Sequence, residues 1–433
     1  MASAVRRLAC GALLLLAAPV GAQHGRAGGW RLSAWRDRIG VAGLALSEDM
    51  PVGLFSDAGT GLQAAMRLRA AGDSAALAWL GSGSSMTPSP WRALLPEDGT
   101  LVLAAPGARR RLAAVPIHAE SLRVVGAGGV FLAATFARPE ARGRHPAILL
   151  VGGSGPSTRG LLLTYSAILA ASGVASLVYD KRGTGASSGE YRGDRLDELA
   201  DDVRAALAAL RARDDVDPSR IGILGQSQGA WLAMMVAAGD TGVAFVMMTS
   251  GGAFPIEQET YRRVRAVADA GFDAAAQGTA RTYVQSLFRF YASGGRDSAG
   301  LAAQWREAQS APWVARVEGP SRDPTATPMS DAWRRFGEDL GRDWAAIYRR
   351  VRVPVYALNS RDDPNVPSAI SRETLARSLP RGAAQLTWKE LRGDHGFVIR
   401  QPDGTMSLDD RYFPTLLAWV HAATAAGRNT GVR

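Results

Sequence analysis

From His118 onward the chain alternates short, continuous apolar runs with stretches whose apolar residues recur at helical spacing. That alternation confines it to a mostly parallel sheet covered by helices on both faces. Residues 120–125 and 130–137, parted by the glycine-rich stretch 126–129, read as an opening hairpin; strands are then expected over 147–151, 174–179, 221–224, 244–249, 353–358 and 386–391. Between them lie a helix burying Leu161 to Leu163, Ile168 and Leu169, and a second with the stripe Leu196, Leu199, Val203, Leu207 and Leu210. Asp194 is placed to cap that second helix, Asp197 and Glu198 suit its positive end, and Arg211 and Arg213 its negative end. Helices are also expected over 228–238 and 412–425. Between about residues 252 and 350 the strand pattern lapses into helical segments, notably 283–291 and 331–348, which predicts a helical cap over one edge of the sheet.

A chain of 433 residues exceeds the ~100 to 200 that one core usually serves. Residues 30–111 carry short apolar runs such as 41–46 and 101–105, broken by Gly, Ser, Pro and Asp, as in short strands and turns. The division expected is a signal peptide over 1–22, a β-rich N-terminal accessory domain over 23–115, and the α/β domain with its cap over 116–433. Arg6 and Arg7, the apolar stretch 8–20 and the small residues Val20, Gly21 and Ala22 form an export signal cleaved after Ala22, so that the mature protein is periplasmic or secreted. The single cysteine, Cys10, lies within that signal, so the mature chain has neither disulfides nor thiolate metal ligands. No later segment reaches the ~18 uninterrupted apolar residues of a membrane span. The net charge of +10 is carried almost wholly by arginine, since lysine occurs only at Lys181 and Lys389. The cations are dispersed rather than gathered in an aromatic-studded groove, which argues against nucleic-acid binding.

The chemistry centres on Gly225, Gln226, Ser227, Gln228 and Gly229, which sit where a strand meets a helix. A serine in so sharp a turn is forced into a strained backbone conformation, and the flanking glycines remove side chains that would clash. The amide of Gln228 then faces any oxyanion formed beside the Ser227 hydroxyl. A serine hydroxyl needs a base, and five histidines are available. His24 adjoins the cleavage site, His118 and His145 precede their strands, and His421 falls in the last helix. His395 alone follows a late strand in a short loop. The loop after residues 353–358 offers two adjacent carboxylates, Asp362 and Asp363, whose side chains point differently, so one of them reaches His395. Asp394, next to the histidine, is assigned a structural role. A second oxyanion donor is expected from the turn after Val151, at the amides of Gly153 and Ser154.

With these residues placed, the chain from about Glu120 onward resembles the α/β-hydrolase superfamily, whose order of nucleophile, acid and base it shares. The resemblance is nearest to bacterial hydrolases grouped with dienelactone hydrolases, acyl esterases and acyl-peptidases, which often carry an N-terminal accessory domain. Residues 152–156 look like that family's oxyanion segment, 179–185 like its usual turn after the following strand, and Asp363 with Val366 and Pro367 like its acid loop. That spacing favours Asp363 over Asp362. The departures are Gly152 and Gly153 where many relatives have His-Gly, an acid loop one residue longer, and Ala230 in place of a frequent glycine.

The resemblance implies a serine hydrolase acting on a small-molecule acyl ester through an acyl-enzyme, with no metal or cofactor. Thioesters or peptides are the alternatives within the same fold, and the aromatic, arginine-bearing cap (Phe288, Tyr291, Trp305, Trp313) is either an acyl pocket or its own core. A different class, a binding protein on a hydrolase scaffold, competes less well with a complete Ser, Asp and His set. Nucleotide binding at Gly183, Thr184, Gly185 and Gly189 is weaker still, because the next helix begins too late to hold a pyrophosphate.

Overall fold

The computed structural model describes residues 30–38, 41–47, 52–57, 63–67, 74–80, 86–94, 100–191, 195–298, 300–317, 319–320, 322–400 and 406–426. The expected signal segment with Cys10 and Ala22, His24, and the expected cap residue Asp194 lie outside these.

Eight antiparallel strands, β1 (Trp30–Arg36), β2 (Val41–Ser47), β3 (Val52–Asp57), β4 (Gln63–Arg67), β5 (Ser74–Leu80), β6 (Met86–Leu94), β7 (Leu101–Ala105) and β8 (Ala108–Val115), close into a barrel. The closure is the pairing of β1 with β8. Closing the sheet on itself removes the unpaired edges that eight short strands would otherwise expose.

The second sheet has eight strands. β9 (Ile117–Val125) and β10 (Phe131–Pro139) form the opening hairpin, followed by β11 (His145–Val151), β12 (Ala175–Tyr179), β13 (Val216–Gln226), β14 (Phe245–Thr249), β15 (Val355–Ser360) and β16 (Leu386–Leu391). Their order across the sheet is β16-β15-β14-β13-β11-β12-β10-β9. β11 to β16 pair parallel with one another; β10 alone runs against them, and β9, antiparallel to β10, runs with the rest. A short two-stranded ribbon, β17 (Val398–Arg400) with β18 (Met406–Leu408), comes after β16.

Helices cover both faces, as continuous apolar strands require. On one face α2 (Leu196–Arg211) and α3 (Gln228–Ala237) bury Leu199, Val203, Leu207 and Leu232 against Leu149, Leu177 and Ile223. Each leucine or valine so buried contributes on the order of 1.5 to 3 kcal/mol. On the other face α1 (Gly160–Ala171) and the last helix, α10 (Tyr412–Ala426), bury Leu163, Ile168, Phe413 and Leu416 against Ile148, Leu150 and Val178. The barrel docks on α1 here, with Ala34, Val41 and Ala45 in the same core and the Ser56 and Thr164 hydroxyls hydrogen-bonded at 2.8 Å.

Between β14 and β15 lie α4 (Pro255–Asp269), α5 (Ala274–Ala292), α6 (Leu301–Ser310), α7 (Asp331–Gly341) and α8 (Trp344–Arg350). The first four enclose a core of their own. The stretch expected as one helix over 331–348 is two, because Arg342 is extended and the Asp343 carboxylate caps the second by accepting from Ala346 N at 2.8 Å. α8 then leaves the cap: Trp344 and Tyr348 pack into the core under the sheet, with the Trp344 ring 5.9 Å from that of Trp231. The helical cap is thus narrower than residues 252–350. The remaining helix, α9 (Ser368–Ser378), lies between β15 and β16. Among the described residues no helix is long and apolar enough to cross a membrane.

Candidate active site

β13 runs into α3 through Ser227, which holds φ 53° and ψ −117°, a conformation that side chains other than hydrogen rarely adopt. The turn is tight because its neighbours lack side chains. A Cβ on Gly225 would stand 2.1 Å from the Gly229 carbonyl oxygen, and one on Gly229 would stand 2.4 Å from that of Val151. The strain lifts the Ser227 hydroxyl out at the carboxyl end of the sheet, where the loops after β15 and β16 also arrive.

Those loops bring three side chains into one line. His395 Nε2 lies 3.0 Å from Ser227 Oγ, and His395 Nδ1 lies 2.8 Å from Asp363 Oδ2 and 3.0 Å from Oδ1. All three residues are buried, at 6%, 5% and 1% exposure for Ser227, His395 and Asp363. Asp363 Oδ1 also accepts from the amides of Asn365 (2.7 Å) and Val366 (3.0 Å), which fixes the carboxylate as an acceptor. Asp362 is exposed and away from the histidine, its amide turned to Ser360 Oγ at 3.3 Å. Of the two carboxylates left open by the sequence, the structure therefore brings Asp363 to His395 and not Asp362. Asp394 accepts from the amides of Gly396 and Val398, which shapes the histidine loop rather than the histidine.

The shell around this line was not visible in the sequence. Ser250, at the end of β14 and also at positive φ (53°), donates its hydroxyl to the His395 carbonyl at 2.7 Å. Asn359 clamps both the amide and carbonyl of Gly251, where the chain leaves for the cap. Tyr261 of cap helix α4 donates its hydroxyl to the Asp363 carbonyl at 3.0 Å, which ties the cap to the loop after β15. Nothing in the local sequence distinguishes these polar residues from ordinary core or surface positions; each becomes legible only when distant strand ends meet.

Gly153, on the turn after β11, sits against Ser227, a Cβ there falling 3.2 Å from Ser227 Cβ. Among the described residues neither Gly153 nor Ser154 donates its amide to a protein acceptor. Gln228, at the start of α3, is buried. Beneath this turn lies Lys181, 3% exposed, which donates to the Gly153 carbonyl and, at 3.0 Å, to Gln228 Oε1. Burial pushes its ammonium down to about 7. The one hint in the sequence was its identity, a lysine in a chain that otherwise meets nearly every need for a cation with arginine.

The glycine turn after β12 closes on a carboxylate of its own. Asp180 accepts from the amides of Arg159 (2.7 Å) and Ala186 (3.0 Å), and a Cβ on Gly185 would meet its Oδ2 at 2.4 Å. The Asp180 carboxylate thus takes up both of these amides. The cap aromatics also have a settled place: Phe288, Tyr291 and Trp313 lie inside the cap core, and Trp305 Nε1 donates to the Pro320 carbonyl. They pack the cap rather than line an acyl pocket.

A sheet of this strand order with a strained serine at its carboxyl edge has the α/β-hydrolase fold, and the chain is a member of that superfamily. Residues 128–373 match the model of the X-Pro dipeptidyl-peptidase (S15) family, and the chain belongs to that family. Among curated proteins, it is 36% identical to polyketide transferase ATR5 of Stachybotrys chlorohalonatus over 108 residues (25% of this chain, 36% of that one). It is 35% identical to quorum-quenching protein AidA of Acinetobacter baumannii over 112 residues (25% and 36%), and 30% identical to thiohydrolase apmlB of Arthrinium phaeospermum over 151 (34% and 49%). The match thus spans between about a third and a half of the length of these relatives. Est1E of Butyrivibrio proteoclasticus, solved with ferulic acid, overlays with a TM-score of 0.45 at 15% identity, covering 70% of this chain and 98% of its own.

Proposed function

We propose that this hydrolase cleaves carboxylic esters through an acyl-enzyme, with Ser227 as nucleophile, His395 as general base and Asp363 as its orienting acid. The observation that carries the reading is the unbroken line from the Asp363 carboxylate through His395 to Ser227 Oγ, ending on a serine in a strained turn. His395 Nε2 takes the hydroxyl proton as Oγ bonds to the substrate carbonyl carbon, and the carbonyl π electrons move onto oxygen. The amides of Gln228 and of Gly153 or Ser154 receive that oxyanion. As it collapses, the C–O bond to the leaving alcohol breaks and His395 returns the proton to it; water repeats the sequence on the acyl-enzyme. Throughout, Asp363 holds Nδ1–H and stabilises the imidazolium. The N-terminal segment supports export to the periplasm or medium. Thioesters fit the same apparatus.

A second reading comes from the matched family's description: release of an X-Pro dipeptide, which uses the same acyl transfer with an amine as leaving group. One experiment separates them. Purified protein and Ser227→Ala are assayed on p-nitrophenyl acyl esters and on X-Pro p-nitroanilides. Ester turnover that Ser227→Ala abolishes, with no anilide cleavage, supports the esterase. Cleavage of the anilide at a higher kcat/KM than the esters replaces it with the peptidase, and a folded wild type inert on both leaves a binding role.

A further inference from the structure

Lys181 is buried, has no carboxylate within salt-bridge distance among the described residues, and takes no part in the proton transfers above. An isolated buried cation costs free energy unless something in the site gains from it. We infer that Lys181 is a positioning residue of the oxyanion site, its Nζ tying the Gly153 carbonyl to the Gln228 side chain so that the amides on both sides of Ser227 stay aimed at the tetrahedral intermediate. The inference rests on the acyl-transfer reading and names a residue that reading does not require.

The two bonds of Lys181 reach the two backbone segments from which oxyanion donors come. Gly153 C=O and Ser154 N–H belong to one peptide plane and point in opposite directions. A hydrogen-bond donor on the carbonyl therefore pulls electron density through the amide and makes the Ser154 N–H, on the far side, a stronger donor. On the other segment the bond to Oε1 keeps the Gln228 side chain folded down beside its own helix start. The segment that carries Lys181 also holds the rest of the turn. Thr184 Oγ1 donates to the Ser157 carbonyl at 3.1 Å, and Gly155 N donates to the Tyr191 hydroxyl at 2.8 Å. The Tyr191 ring faces Lys181 Nζ, 5.4 Å from its centroid. A lysine suits this place because its compact Nζ, on a flexible stem, has a donor for each of the two oxygens and sits over the Tyr191 ring.

The test compares full-length wild type, Lys181→Met and Gln228→Met for kcat and KM on a p-nitrophenyl ester, and for affinity toward an aryl trifluoromethyl ketone, whose adduct with serine carries the oxyanion. Lys181→Met is expected to lower kcat by about 10- to 100-fold, the size of effect that misplacing or losing one oxyanion donor produces, with KM within about twofold. Ketone affinity is expected to fall by the same factor while thermal unfolding shows a folded protein. Gln228→Met, which keeps the amide and removes one tether, is expected to lower both quantities in parallel by a few-fold, and it decides the matter if Lys181→Met does not fold. Unchanged kcat and ketone affinity, or a loss confined to KM, overturns the inference. A wild type inert on every ester and every X-Pro anilide would instead overturn the acyl-transfer reading, so the two failures are distinct.

Discussion

Replacing Asp363 by asparagine changes one atom of the site, and the hydrogen bonds around that atom dictate the outcome. Asp363 Oδ1 accepts from two backbone amides, Asn365 N and Val366 N, while Oδ2 is nearer to His395 Nδ1. A carboxamide has a single oxygen, which the two amides will hold, so its NH2 must face His395. Nδ1 then becomes an acceptor, the proton moves to Nε2, and the nitrogen opposite Ser227 Oγ can no longer take a proton. Losing the correct tautomer costs about 10³- to 10⁴-fold in kcat, or about 4 to 5.5 kcal/mol of transition-state stabilisation. The exposed neighbour provides the control: Asp362→Asn touches neither the histidine nor its loop and should leave kcat within about twofold, as surface substitutions do. The assay is steady-state ester hydrolysis at pH 8, with circular dichroism to establish folding. Comparable small losses in both variants, or a larger loss at Asp362, would refute the tautomer argument.

Gly229→Ala drives a Cβ to 2.4 Å from the Val151 carbonyl oxygen and 2.9 Å from that of Gly152, both fixed backbone atoms, and should cost about 1 to 3 kcal/mol of stability, read as a lower urea unfolding midpoint. Tyr261→Phe removes the hydroxyl that ties the cap to the acid loop; it should cost about 0.5 to 1.5 kcal/mol, read as a few-fold fall in kcat with Ser227 still labelled by active-site probes. Burial pushes the Asp409 carboxyl up, but bonds from the Arg411 guanidinium and from the amides of Arg392 and Arg411 outweigh it and hold the group well below the usual carboxylate range. A depressed folded pKa stabilises the protein above the unfolded value of about 3.9 and loses that contribution as pH falls below it. Asp409→Asn should therefore lower stability at pH 7 and flatten its decline below pH 4; parallel stability curves would contradict this.

The elements legible in the sequence were those whose signal is local. Continuous apolar runs such as 147–151 and 221–224 mark strands buried on both faces, and the stripe from Leu196 to Leu210 marks a helix lying on them. Ser227 stood out because a strand, a glycine-flanked serine and a helix occur in immediate succession, and His395 because the other histidines had ordinary places. What escaped was non-local. Closure of the barrel depends on β1 meeting β8 across the whole N-terminal stretch. The break between α7 and α8 depends on Asp343 capping a helix whose Trp344 and Tyr348 belong to another core. The choice between Asp362 and Asp363 turned on backbone direction within a loop, which family spacing indicated and residue types did not. The cap aromatics show the converse: a cluster suited by composition to an apolar substrate is consumed in holding four helices together.

The central claim is that Ser227 is the nucleophile of an acyl-transfer enzyme, and covalent labelling tests it most directly. Purified protein is treated with a fluorophosphonate probe, and the labelled peptide is located by mass spectrometry in wild type, Ser227→Ala and His395→Ala. The account predicts one adduct, on Ser227, absent from Ser227→Ala and formed far more slowly in His395→Ala. Labelling that persists in a folded Ser227→Ala, or a folded wild type that takes up no probe, would contradict it.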